Sequence, residues 1–185
     1  MKEQVLNILF VYPRYPDTFW GHRHALKFVA KKAAYPPLGL LTIASLLPRE
    51  WEKKLVDLNA DDLKDEDIAR ADYVFISAMD VQRQSVYEVI KRCHQLGAKM
   101  VAGGPLFTTG HDQFPEVDHF VLGEAETLMS RVAKDLEEGR GERFYQSDER
   151  PDIRKSPIPA WELIDTEKYS TLSLQYSRGC PYDCE

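Results

Sequence analysis

Tyr73-Val74-Phe75-Ile76-Ser77, then the amphipathic stretch Gln84 to Leu96, then Lys99-Met100-Val101-Ala102: this succession decides how the chain folds. Each short run is apolar at consecutive positions, as a strand covered on both faces must be, and that is the condition of a strand inside a parallel sheet. The longer stretch between them is the crossover that two parallel strands require. The same alternation extends in both directions. Strands are expected at Leu6–Tyr12, Lys54–Asp57, Tyr73–Ser77, Lys99–Ala102 and His119–Leu122, and helices over Leu38–Leu47, Asp61–Ala71, Gln84–Leu96 and Glu124–Glu138. Pro36-Pro37 suits the entry to the first helix, because proline at a helix start loses no needed donor. Gly97 and Gly139 stop two others, and Glu124 and Glu126 fall in a first turn, where the helix dipole favours anions.

Five strands joined by right-handed crossovers give an α/β fold: a flavodoxin-like doubly wound five-stranded parallel sheet of order 2-1-3-4-5. Ligands of such sheets sit beyond the carboxyl ends of the strands, where the order reverses between the first and third. The loops that reach this place are Pro13–Pro37, Ala78–Arg83 and Gly103–Asp112. The first is much longer than an ordinary strand-to-helix connection. It carries an apolar helical stripe, His24, Leu26, Phe28 and Val29 with Ala25 and Ala30, that either caps a ligand, meets a following domain or packs as core. Residues 1–139 are read as this domain, 140–168 as a polar, proline-bearing linker whose Trp161, Leu163 and Ile164 dock on a neighbour, and 169–185 as the start of another domain. The strand-like Tyr169–Tyr176 opens it, and a lone strand is an exposed edge, so the protein is expected to continue past Glu185.

Composition narrows the possibilities. With 185 residues, 43% hydrophobic and 29% charged, the chain has a globular mixture and no apolar run near the roughly 20 residues that span a bilayer. No signal-peptide pattern follows Met1, and three cysteines suit a reducing compartment, so the cytoplasm is the expected address. A net charge of −6 without a clustered basic face leaves nothing to neutralise phosphates, which argues against nucleic acid as a partner. Pro13-Arg14-Tyr15-Pro16 supplies neither the acidic pocket of a phosphorylation receiver nor the phosphate loop of a flavodoxin. Cys93, inside a helix beside His94, reads as a buried structural thiol.

Cys180-Pro181-Tyr182-Asp183-Cys184 comes directly after Tyr176-Ser177-Arg178-Gly179. Two thiolates are too few for a zinc or iron–sulfur site. The run from Tyr176 to Glu185 resembles the opening of the radical S-adenosylmethionine motif, C-x-x-x-C-x-x-C. The resemblance implies that Cys180 and Cys184 are metal ligands of a [4Fe-4S] cluster, which with S-adenosylmethionine would be completed only in a longer parent, and that Tyr169–Tyr176 is the first strand of its barrel.

Residues 1–138 are similar to the vitamin B12-binding domains that precede radical S-adenosylmethionine domains, the hopanoid-methylase-like group included. The segments that carry this are Pro36-Pro37-Leu38-Gly39-Leu40, Ser77-Ala78-Met79, Gly103-Gly104-Pro105 and Gly123-Glu124-Ala125-Glu126. The resemblance implies that cobalamin slides its nucleotide tail between the sheet and its flanking helices, past Ser77, Ala78, Met79, Gly103, Gly104, Pro105, Gly123 and Glu124. Glycines there leave the backbone bare and free in φ, and the Ser77 hydroxyl offers a hydrogen bond. Taken singly, Gly-Gly-Pro also reads as a turn and the glutamates as dipole partners.

Many cobalamin domains carry D-x-H-x-x-G after the first strand, the histidine serving as lower cobalt ligand. Here Asp17-Thr18-Phe19-Trp20-Gly21-His22 places Phe19 where that histidine stands. Cobalamin is therefore expected to lack a histidine lower ligand, with Phe19 or Trp20 beneath the ring and Asp17 at the motif's aspartate; His22 and His24 suit solvent-facing or capping roles. The parent implied by the resemblance is a methyltransferase that moves a methyl group from cobalamin to an unactivated carbon of a small-molecule or lipid substrate, its partner being its own radical domain. The fragment alone is not expected to be active. The alternative is a degenerate domain that binds no cobalamin and serves the barrel as a docking or substrate-recognition platform.

Overall fold

Residues 5–17 and 23–178 are described in the computed structural model. Within them six parallel strands build one sheet: β1 (Asn7–Tyr12), β2 (Glu52–Asp57), β3 (Tyr73–Ser77), β4 (Lys99–Gly103), β5 (His119–Leu122) and β6 (Phe144–Gln146), in the order β2-β1-β3-β4-β5-β6. The helices are α1 (Arg23–Leu26), α2 (Leu38–Leu46), α3 (Asp65–Arg70), α4 (Arg83–Gln95), α5 (Pro105–Gly110) and α6 (Met129–Glu137).

Side chains alternate along a strand, so each strand feeds both faces. Leu9, Val11, Val74, Ile76, Met100 and Phe120 pack with Ile68 of α3, Val86 and Ile90 of α4, and Phe107 of α5. Ile8, Phe10, Phe75, Val101 and Val121 point the other way, onto Leu40 and Ala44 of α2 and Met129, Val132 and Leu136 of α6. Each such buried Leu, Ile or Phe contributes about 1.5–3 kcal/mol, and the double cover explains the unbroken apolar runs. Cys93 is buried in the first layer, and burial pushes its thiol pKa up to about 12. Among the described residues no helix is long and apolar enough to cross a membrane.

The doubly wound parallel arrangement agrees with the expectation, and a sixth strand extends it. Phe144-Tyr145-Gln146, inside the stretch read as linker, pairs in parallel with β5 through Phe120 opposite Phe144 and Leu122 opposite Gln146. So short a strand buries one side chain and leaves no periodicity to read. Tyr145 is that side chain: its hydroxyl donates to Asp135 Oδ2 at 3.2 Å and accepts from the Glu142 amide at 2.9 Å. Arg140 closes the pocket over the same buried carboxylate at 2.6 Å.

Beyond β6 the chain runs back across α2. The Ala160 amide donates to Leu41 O at 3.0 Å, and Ser45 Oγ donates to Ile158 O at 2.7 Å, which is why α2 is apolar nearly all round. Leu163 and Ile164 then pack against the domain. Tyr169 is buried beside Ala33 and Ala60, and its hydroxyl donates to Asp57 Oδ2 at 3.1 Å. Asp57 closes β2 and also accepts from the Asn59 amide and side chain, at 2.9 and 2.7 Å. Burial raises the Asp57 carboxyl above its ordinary pKa, against the pull of these donors.

Four expected elements differ. The alternating run Tyr169–Tyr176 forms no strand; it makes a single bridge, Tyr169 to Ala33, with Ser170 and Thr171 amides donating to Ala33 O and Ala34 O at 3.0 and 3.2 Å. The helix expected from Asp61 begins at Asp65; Asp61 lies in the turn before it, its amide donating to Asp57 O at 2.8 Å and its carboxylate accepting from Lys168 Nζ at 2.7 Å. The helix expected from Glu124 begins at Met129. The apolar stripe after β1 is one turn of α1 followed by a tighter turn, Lys27–Val29; Leu26 is buried whereas Phe28 and Val29 are exposed.

Candidate functional site

The central strands end level: Ser77 stands opposite Gly103, and Gly103 opposite Val121. Above these ends, between α2 and α6, lies a cleft of about 900 Å³. That is within the roughly 300–1,000 Å³ typical of small-ligand sites. Phe75, Val101 and Val121 give it an apolar floor, Leu38 and Ile43 wall it on the α2 side, and Met129 on the α6 side. Thr108 ties two of its loops together, its hydroxyl donating to Gly104 O at 3.0 Å and accepting from the Gly123 amide at 3.2 Å. The cleft spans β3, β4 and β5, one strand beyond the reversal between β1 and β3 where the ligand was expected.

The ledge at the strand ends is bare because the fold forbids side chains there. A Cβ on Gly103 would stand 2.9 Å from Val121 O. Gly104 has φ +90°, and its Cβ would stand 2.7 Å from Ser77 Oγ. Both glycines thus have a structural cause besides the close approach of a ligand.

Ser77, Gly103, Gly104, Pro105, Gly123 and Glu124 all line the cleft. Ala78 does not: it is buried in the core on the opposite face, its carbonyl accepting from the Leu106 amide at 3.1 Å. Met79 is half exposed, bound through its amide to Gln82 Oε1 at 2.8 Å, with its sulfur 3.5 Å from the Tyr15 hydroxyl. Asp17 lines a second cavity of about 680 Å³ at the ends of β1 and β2, with Arg14, Tyr15 and Asn59. Phe19, Trp20, His22, Cys180 and Cys184 lie outside the described residues.

Sequence reasoning missed the walls of this site and its one lining guanidinium among the described residues. Arg178 lines the cleft, its Nη1 donating to Glu124 Oε2 at 2.8 Å and its Nη2 to Glu126 Oε1. Ser156 Oγ donates to the same Glu126 oxygen at 3.2 Å. Burial pushes the Glu126 carboxyl up, but the Arg178 hydrogen bond and charge outweigh it and hold the group below its ordinary pKa. The two acids expected in a helix first turn therefore stand outside α6 and bind a guanidinium. Contacts across such a sequence distance leave no local spacing to read.

An open apolar cleft with hydroxyls at its rim, at the carboxyl end of a doubly wound parallel sheet, defines a small-ligand-binding α/β domain. Its apolar floor and the small residues at the strand ends would accommodate the nucleotide tail of a corrinoid. Residues 29–133 match the family model of the B12 binding domain, and the chain belongs to that family. Over 97% of its length it is 37% identical to an uncharacterized methyltransferase of Synechocystis sp., of which it covers 34%. It is likewise 37% identical over 97% of its length to the hopanoid C-2 methylase of Rhodopseudomonas palustris, covering 35% of that protein. A bacteriochlorophyllide d C-8(2)-methyltransferase of Chlorobaculum tepidum is 25% identical over 80% of the chain. The chain spans about a third of the length of these relatives.

Proposed function

We propose that this B12-binding domain holds cobalamin for a methyltransferase of the radical S-adenosylmethionine type, in a protein longer than the 185 residues here. The observation that carries the reading is the cleft between α2 and α6, whose ledge at Ser77, Gly103 and Gly104 presents backbone and a hydroxyl. The nucleotide tail would lie there, and the corrin would rest over the strand ends. Bound in this way, cobalamin supplies a transferable methyl group. Phe19 or Trp20 would sit beneath the ring in place of a histidine. Cys180 and Cys184 would ligate a [4Fe-4S] cluster whose open iron takes S-adenosylmethionine, and the chain's own following domain would be the partner. The names of the relatives suggest a lipid or other small molecule as methyl acceptor.

The test is titration of the purified chain with hydroxocobalamin. A shift of the visible bands and co-elution with the protein on gel filtration are expected. Reduction to the cobalt(II) form should give an electron paramagnetic resonance spectrum without nitrogen splitting. No uptake would refute the cofactor reading and return the docking-platform alternative; a three-line nitrogen splitting would refute the absence of a nitrogen lower ligand.

A further inference from the structure

The segment between Thr171 and Arg178 crosses the mouth of the cleft from one wall to the other. At its near end, Ser170 and Thr171 are tied to Ala33 and Ala34, just ahead of α2. At its far end Arg178 is tied to Glu124 and Glu126, just ahead of α6. Between these anchors the backbone forms no helix or strand, and Leu174 and Tyr176 are 91% and 97% exposed although both border the cleft. Burial of apolar surface therefore does little to hold the segment in place. Its far end is held by charge, with the Arg178 and Glu126 side chains only 21% and 12% exposed. Ion pairs removed from water to this degree hold more firmly than surface pairs, and a guanidinium that meets two carboxylates fixes direction as well as distance.

We propose that residues 172–178 are a latched strap, with Arg178 as the positioning residue that closes it on Glu124 and Glu126 over whatever occupies the cleft. This rests on the corrinoid reading above. A ligand entering between α2 and α6 passes the strap, and closure then slows its escape. Occupancy and closure are coupled, so each favours the other by the same factor.

The experiment compares the wild-type chain with Arg178→Ala and Arg178→Lys. Each is loaded with hydroxocobalamin, release is followed by its visible bands, and the far-ultraviolet circular dichroism spectrum is recorded. Arg178→Ala is expected to release the corrinoid about tenfold faster, the change appearing in the off-rate rather than the on-rate, with the circular dichroism spectrum unchanged. Arg178→Lys, which keeps the charge, should fall between, an intermediate rate that a general loss of folding would not give. If wild type binds and Arg178→Ala releases at the wild-type rate, the latch is overturned and the cofactor reading stands. If wild type takes up no hydroxocobalamin, both fall.

Discussion

Replacing Gly104 with alanine puts a methyl group where the structure leaves least room for one. The residue sits at φ +90°, ψ 178°, a region essentially closed to residues with a Cβ, and forcing one into it costs about 1–3 kcal/mol. The new methyl would also stand 2.7 Å from Ser77 Oγ, 3.2 Å from Ala78 O and 3.3 Å from Ala78 N. Ser77 Oγ can rotate aside. The Ala78 backbone cannot, because its carbonyl holds the Leu106 amide at the start of α5, so overpacking adds about 1 kcal/mol. The expected total is about 2–4 kcal/mol. Gly97 supplies the control: its φ is +69° but nothing lies within 4 Å of its missing Cβ, so alanine there costs only the backbone component, about 1 kcal/mol. Urea unfolding of the two variants beside wild type gives both numbers. Equal destabilisation of Gly104→Ala and Gly97→Ala would refute the claim that the ledge is closed by its neighbours.

Two further outcomes concern the extension that wraps the domain. Tyr169→Phe strips a donor from the buried Asp57 carboxylate, and leaving such a group short of a partner costs about 1–3 kcal/mol; urea unfolding should show this, with early proteolytic cleavage between α6 and the strap, and an unchanged midpoint would refute the anchoring role. Glu126 is held below its ordinary pKa by Arg178, so its stabilising contribution is fully present above the unfolded-state carboxylate pKa and is lost as pH falls through the lowered folded value. The stability gap between wild type and Glu126→Gln should therefore be widest near neutrality and vanish in acid, and a gap that widened on acidification would contradict the ion pair.

The layers of this fold were legible because each central strand is buried on both faces and so reads as an unbroken apolar run; β3 and β5 fall where the sequence put them. β6 was hidden because only Tyr145 of its three residues points inward. The opposite failure occurred at Tyr169–Tyr176, where a strand-like alternation buries Tyr169 and leaves Leu172, Leu174 and Tyr176 exposed. Of the site, the small residues at strand ends were readable, since the rule that ligands bind there needs only the order of elements. The α2–α6 walls and the Arg178 latch were not, because they depend on which residues meet across the folded domain.

The central claim is that the cleft between α2 and α6 receives the nucleotide tail of cobalamin. Dissociation constants of the chain for hydroxocobalamin and for cobinamide, the corrinoid that lacks this tail, test it most directly. Cobalamin is expected to bind at least about tenfold tighter, which corresponds to about 1.4 kcal/mol. Equal affinities would mean that the corrin alone is recognised and that the cleft serves something else.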